Sequence, residues 1–185
     1  MAQEITLQAT CPATRIPAGD AVELPAGGTY HLAQALGGSV TLRDATGLYR
    51  IAREHLAALG PEVAAAVGAA DDDRSGADDD GPLSEEKLWA ALRQCFDPEI
   101  PVNIVDLGLI YDLRSEPRED GRHDVDVRMT LTATGCGMGP TIAADARSRL
   151  EALPQVAAAN VEIVWDPQWT PHMISPEGRK ILGLD

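Results

Sequence analysis

The feature that most constrains this chain is the run at residues 69–82, AADDDRSGADDDGP, where six Asp face one Arg. Nothing in it buries apolar surface, and like charges at this density repel, so it reads as a solvated, flexible acidic linker. It predicts a small N-terminal module over residues 1–68 and a C-terminal domain over 83–185. The 185-residue length allows one or two domains. With 44% hydrophobic but only 4% aromatic residues, aliphatic side chains and alanine must build the cores.

The N-terminal module reads as mostly β. Ala21 to Leu24, Thr29 to Leu36, Ser39 to Leu42 and Gly47 to Ile51 are short strand patterns separated by Pro25-Ala26-Gly27-Gly28 and Gly37-Gly38. They suggest a small barrel-like or sandwich module. Glu54 to Leu59 reads as one or two helical turns, stopped by Gly60-Pro61. The stretch around Cys11 reads as mobile. His31 and His55 are isolated, with no catalytic constellation around them.

The C-terminal half has clearer periodicities. Ser84 is placed to cap a helix running to about Phe96, with Leu88, Ala91, Leu92 and Cys95 on one apolar face. Asp97-Pro98 ends it. Leu109 to Leu113 reads as a strand. From Asp124 to Leu131, Val125, Val127, Met129 and Leu131 point one way and polar residues the other, the mark of a sheet with one face on a core. A helix follows, with Pro140 at its start and Ile142, Ala146, Leu150 and Leu153 along one side. Val161, Ile163 and Trp165 alternate in a last strand, and Ser175-Pro176 opens a short terminal helix. The fold class is therefore α+β, with an α-β-β-α-β-α domain around a small mixed sheet.

Two segments carry chemistry. In Asp97-Pro98-Glu99-Ile100-Pro101 the prolines stiffen the backbone and present two carboxylates from a rigid turn; a plain helix stop is the competing reading. In Thr132-Ala133-Thr134-Gly135-Cys136-Gly137-Met138-Gly139-Pro140 a cysteine stands in a glycine-lined loop before a helix. Helix starts favour negative charge, and the thiolate is the form that attacks electrophiles or binds metal. Cys136 is thus a metal or cluster ligand, a nucleophile, or a small buried hydrophobe. The loop matches neither GxxxxGK nor GxGxxG. Cys95, on an apolar helix face, reads as structural, with a ligand role as the alternative. His172 reads as a surface residue near a turn or a metal ligand. Trp165 and Trp169, among Pro167 and Pro171, form an aromatic corner for packing or for partner docking.

Composition removes some classes. The net charge of −14 argues against nucleic acid and against anionic membrane surfaces as partners. No stretch approaches a transmembrane length, and Met1 to Asp20 lacks the pattern of a secretory signal, so a cytoplasmic location is expected. The three cysteines are widely spaced and read as free thiols of a reducing compartment. A nucleophilic thiol enzyme usually needs a neighbouring base, and the four histidines show no pairing motif.

Taken together, DPEIPVNIVDLGLIYDL, MTLTATGCGMGP and VEIVWDPQWTPHMIS resemble the SufT/PaaD-like iron–sulfur assembly family. The resemblance covers residues 83–185, and the N-terminal half is similar to the extension of SufT-type members. It implies a non-enzymatic factor that carries an iron–sulfur cluster, or helps to hand one to apo-proteins. Residue by residue it implies cofactor-binding roles for Cys136, Asp97, Glu99 and Thr132, with Cys136 as the metal ligand. Thr134 departs from the proline that relatives often have there. Implied partners are an assembly scaffold, apo client proteins and, for a cluster shared between chains, a second copy. A cluster usually takes four thiolates, which one chain with Cys136 alone does not provide. The alternative function is a metal-free adaptor linking scaffold and client.

Overall fold

The computed structural model describes residues 3–72 and 81–184. The chain divides into two compact units, Met1–Arg74 and Ser75–Asp185.

The first unit is built on six strands: β1 (Glu4–Thr6), β2 (Cys11–Ile16), β3 (Ala21–Leu24), β4 (Thr29–Leu36), β5 (Ser39–Arg43) and β6 (Leu48–Ile51). They form one antiparallel sheet in the order β1-β4-β5-β6-β2-β3. The Cys11 region corrects the sequence expectation: it is a strand, and Cys11 is fully buried with Ala13 and Ile16 on the same unit's interior. Burial also pushes the Cys11 thiol pKa up. The core joins Leu7, Val40, Leu42, Tyr49 and Ile51, and the rings of Tyr30 and Tyr49 meet edge-on at 6.1 Å. A 3₁₀ turn covers Arg53–Leu59, and α1 (Pro61–Asp72) follows at once. Pro61, read from sequence as a stop, is the first residue of that helix, a position where its missing N–H costs nothing.

Helix α1 therefore carries the start of the acidic run. Residues 73–80 lie outside the described residues. At the run's other end Gly81 is held, its carbonyl accepting from Lys87 Nζ at 3.1 Å and Gln155 Nε2 at 2.6 Å.

The second unit follows the expected order: α2 (Glu85–Leu92), β7 (Ile110–Pro117), β8 (His123–Met129), α3 (Gly139–Glu151), β9 (Val156–Ile163) and α4 (Pro176–Leu182). Strand β7 pairs antiparallel with β8, and β8 parallel with β9. The alternation of β8 holds in space, with Val125, Val127 and Met129 each at most 1% exposed. Helix α3 packs on β9 of the same sheet and buries Ile142, Ala146 and Leu150, and α2 packs on α3 and buries Leu88, Ala91 and Leu92. Burying each of the leucines and the isoleucine is worth about 1.5–3 kcal/mol. Arg149 of α3 donates to Gln94 Oε1 at 2.8 Å and so ties the two helices' ends.

Several ends differ from expectation: β7 runs on to Pro117 rather than ending at Leu113, β8 stops at Met129 rather than Leu131, and β9 begins at Val156 rather than Val161. Helix α2 stops at Leu92 rather than Phe96, because Phe96 leaves to make a β-bridge with Asn103. Strand β9 stops at Ile163, so Trp165 lies beyond it and is 45% exposed.

Candidate functional site

The sheet register decides which segments meet. Met129 pairs with Ile163 across the parallel ladder and with Ile110 across the antiparallel one. The chain before β7, the chain after β8 and the chain after β9 thus occupy one end of the sheet. These are the three motif segments, and α3 starts there too. An added Cβ at Gly139 would stand 2.7 Å from Leu131 Cδ1 and 3.2 Å from Ile163 Cδ1. Glycine is therefore what lets the helix start sit directly on the strand ends.

The acidic turn is compact. Asp97 is 6% exposed, and its Oδ1 accepts the Glu99 N–H at 2.9 Å. Burial pushes its carboxyl above the ordinary range, against the pull of the backbone N–H groups of Glu99 and Ile100. Glu99 is exposed at the surface; its pKa is also raised, first by partial burial and then by the Asp97 charge. The two acids thus differ in role: Asp97 organises the turn from inside, and Glu99 faces solvent. The turn is stapled to the following segment by the Phe96–Asn103 bridge and by the Ile104 N–H donated to the Cys95 carbonyl at 2.9 Å.

The chain after β9, residues 164–175, closes over that segment as a strap. Asp106 accepts from Asn103 Nδ2 at 2.6 Å and from Ser175 Oγ at 2.9 Å, while its carbonyl accepts the Ser175 N–H at 2.8 Å. Ser175 also caps α4 by accepting the Gly178 N–H at 3.0 Å. Trp169 Nε1 donates to the Leu107 carbonyl at 2.7 Å, and the Tyr111 hydroxyl donates to the Pro167 carbonyl at 2.8 Å. Ser175 is the helix opener expected from the sequence, whereas Asp106 and Tyr111 stand out there only as parts of their motif. The signal that points to Asp106 is the Asn103-x-x-Asp106 spacing, an Asx-type turn.

Cys136 lies in the loop between β8 and α3, two residues ahead of the N-cap Met138. Its side chain is partly exposed and its thiol is free. Gly135 before it has φ +79°, a left-handed turn with open space where a Cβ would go. The Gly139 N–H donates at 3.2 Å to the Cys136 carbonyl, and no side chain caps α3. Thr132 is half-buried at the loop's start. Cys95 and Cys11 are both 0% exposed. His172 is exposed on a 3₁₀ turn, Pro171–Met173, where its carbonyl accepts from Arg179. Among the described residues, no three His, Cys, Asp or Glu side chains converge to hold a metal ion. No helix among them is long and apolar enough to cross a membrane.

Comparison with known proteins agrees on this half of the chain. The model of a family described as "Iron-sulfur cluster assembly protein" matches residues 85–163. The Fe-S protein maturation auxiliary factor YitW of Bacillus subtilis is 40% identical over 100 residues, which are 54% of this chain and 94% of that protein. The Fe-S protein maturation auxiliary factor SufT of Staphylococcus aureus is 40% identical over 89 residues, 48% of this chain and 97% of its own. Among solved structures, a DUF59 domain from Bacillus anthracis is 35% identical, with a TM-score of 0.48 over 55% of this chain and 92% of that one. A conserved hypothetical protein from Thermotoga maritima is 32% identical, with a TM-score of 0.46 over 55% and 96% of the two chains. With nearly the whole of YitW and SufT spanned at this identity, the chain belongs to the iron–sulfur cluster assembly protein family.

Proposed function

We propose that this chain is an accessory factor in iron–sulfur protein maturation, and that Cys136 supplies the thiolate that receives or holds the cluster in transit. The cluster is cargo, not a resident cofactor, and the chain does not turn over a substrate. The observation that carries this reading is the contrast between thiols: Cys11 and Cys95 are sealed at 0% exposure, and Cys136 alone among them reaches solvent. Its loop leaves the same end of the sheet that the acidic segment enters. Asp97 shapes the turn that presents Glu99, and Thr132 opens the thiol's loop. Four thiolates are the usual complement, so the remaining ligands come from a second copy, a small thiol or the client. Partners on this reading are an assembly scaffold and apo-proteins.

Anaerobic reconstitution of the full chain with ferrous iron and sulfide tests the reading. The wild type is expected to retain both, with visible charge-transfer absorption, and Cys136→Ser to lose them. Equal retention by the two would remove Cys136 as the ligand. The metal-free adaptor reading draws on the exposure of Trp165; it expects client maturation to survive Cys136→Ser.

A further inference from the structure

The two tryptophans of the Trp-Pro corner have separate fates. Trp169 is half-buried, with its indole N–H spent on the Leu107 carbonyl at 2.7 Å, so it belongs to the strap's packing. Trp165 is 45% exposed, one of three large apolar side chains so placed among the described residues. It stands two residues beyond Ile163, at the end of the sheet from which the Cys136 loop also departs. An indole left half in water forgoes part of the burial energy that a side chain of its size supplies.

The charge carried by the loops around it is negative, and the cations that reach this end are Arg128 and Arg179. The three segments at this end, residues 95–111, 131–141 and 164–174, contain Asp97, Glu99, Asp106 and Asp166 and no Lys or Arg. Asp166, next to Trp165, is exposed, as is Glu99. Both cations are committed: Arg128 pairs with Glu162 at 3.3 Å, and Arg179 donates to the His172 and Ile174 carbonyls at 3.3 Å. An aromatic face in a negative field attracts cations twice, through the ring quadrupole and through the carboxylates. An anionic or purely apolar partner would gain less here.

We infer that Trp165 is a docking residue for a cationic segment of a partner protein, one in which Lys or Arg alternates with aliphatic side chains. The surface deepens the maturation reading and rests on it: a segment seated on Trp165 brings its polypeptide to the end of the sheet that carries Cys136. The indole takes the aliphatic or guanidinium group, and Asp166 faces the charges beside it. Trp165 acts by positioning the partner; the thiol acts on the cargo.

Fluorescence anisotropy of a labelled 12-residue Lys/Leu peptide, titrated with the full chain, tests the inference; a Glu/Leu peptide of equal length is the comparison. The Lys/Leu peptide is expected to bind and the Glu/Leu peptide not to. Trp165→Ala is expected to weaken binding about tenfold or more, as truncation of a central aromatic anchor does. Asp166→Asn and added salt weaken it further. Unchanged affinity in Trp165→Ala overturns the inference, because the peptide would then be held by negative charge elsewhere, such as the acidic run. Equal binding of the two peptides overturns it as well. Cys136→Ser is expected to bind the peptide like the wild type; loss there would assign the contact to the thiol loop. The titration uses no metal, so its failure leaves the iron and sulfide assay intact, and the failure of that assay leaves the titration readable.

Discussion

Gly108→Ala is expected to destabilise the C-terminal unit far more than Gly135→Ala, although the two glycines share nearly the same backbone. Their φ angles are +72° and +79°, so an alanine in the left-handed region costs each about 1–2 kcal/mol. They differ in what the new methyl meets. At Gly135 nothing lies within 4 Å. At Gly108 the Cβ would be 2.2 Å from the Met173 carbonyl oxygen and 2.8 Å from its carbon, backbone atoms that no rotamer change can remove. The strap must retreat by about 1 Å to restore contact distance. That retreat strains the Trp169–Leu107 bond of 2.7 Å and the Ser175–Asp106 bond of 2.9 Å, each worth about 1 kcal/mol net. The total for Gly108→Ala is therefore about 3–4 kcal/mol, roughly 2 kcal/mol beyond Gly135→Ala. Trp89, Trp165 and Trp169 all belong to the Ser75–Asp185 unit, so tryptophan fluorescence during urea unfolding reads that unit alone. At about 4–8 °C per kcal/mol for a domain of this size, the two variants should melt roughly 10 °C apart. If they unfold within about 0.5 kcal/mol of each other, the strap yields freely and the tightness inferred at Met173 is wrong.

Asp97→Asn should flatten the dependence of stability on pH in the acid range. Below the ordinary carboxylate pKa both folded and unfolded chains hold the Asp97 proton. As pH rises the unfolded chain releases it first, so wild-type stability contributed by this group falls until pH passes the raised folded value. Asparagine keeps an acceptor for the Glu99 N–H and removes that slope; an unchanged difference curve between the two proteins would refute the raised pKa. A second prediction concerns the thiols: under native conditions a water-soluble disulfide reagent should modify one cysteine quickly and Cys11 and Cys95 only at the rate of unfolding. Cys136→Ser should abolish the fast phase, and a fast phase that survives would place another thiol at the surface.

What was legible in the sequence follows the strength of local patterns. Strand β8 was plain because Val125, Val127 and Met129 share one buried face, and Leu131 just beyond the strand continues the pattern. Strand β9 was read short because Ala157, Ala158 and Ala159 carry no hydrophobic contrast, though Ala159 is buried. Strand β2 was missed for a similar reason: Cys11 and Ala13 are small, and Pro12 argued against a strand even though it pairs with Glu23. Helix α1 was missed because Pro61 both ends one element and starts the next. In the site, the motif residues were legible individually, and the Asn103–Asp106 spacing is local, but the Ser175–Asp106 bond joins positions 69 residues apart and leaves no local trace.

On the proposed function, the single parallel pairing in the C-terminal sheet gives the domain a working pole and an idle one. Arg118 to Gly121, the tight hairpin between β7 and β8, sits at the idle pole, the length of the seven-residue β8 away from the thiol loop. At about 3.3 Å per residue that is roughly 23 Å. A fluorophore or spin label grafted onto Glu119, exposed in that hairpin, would report on binding at the thiol-loop end without touching it.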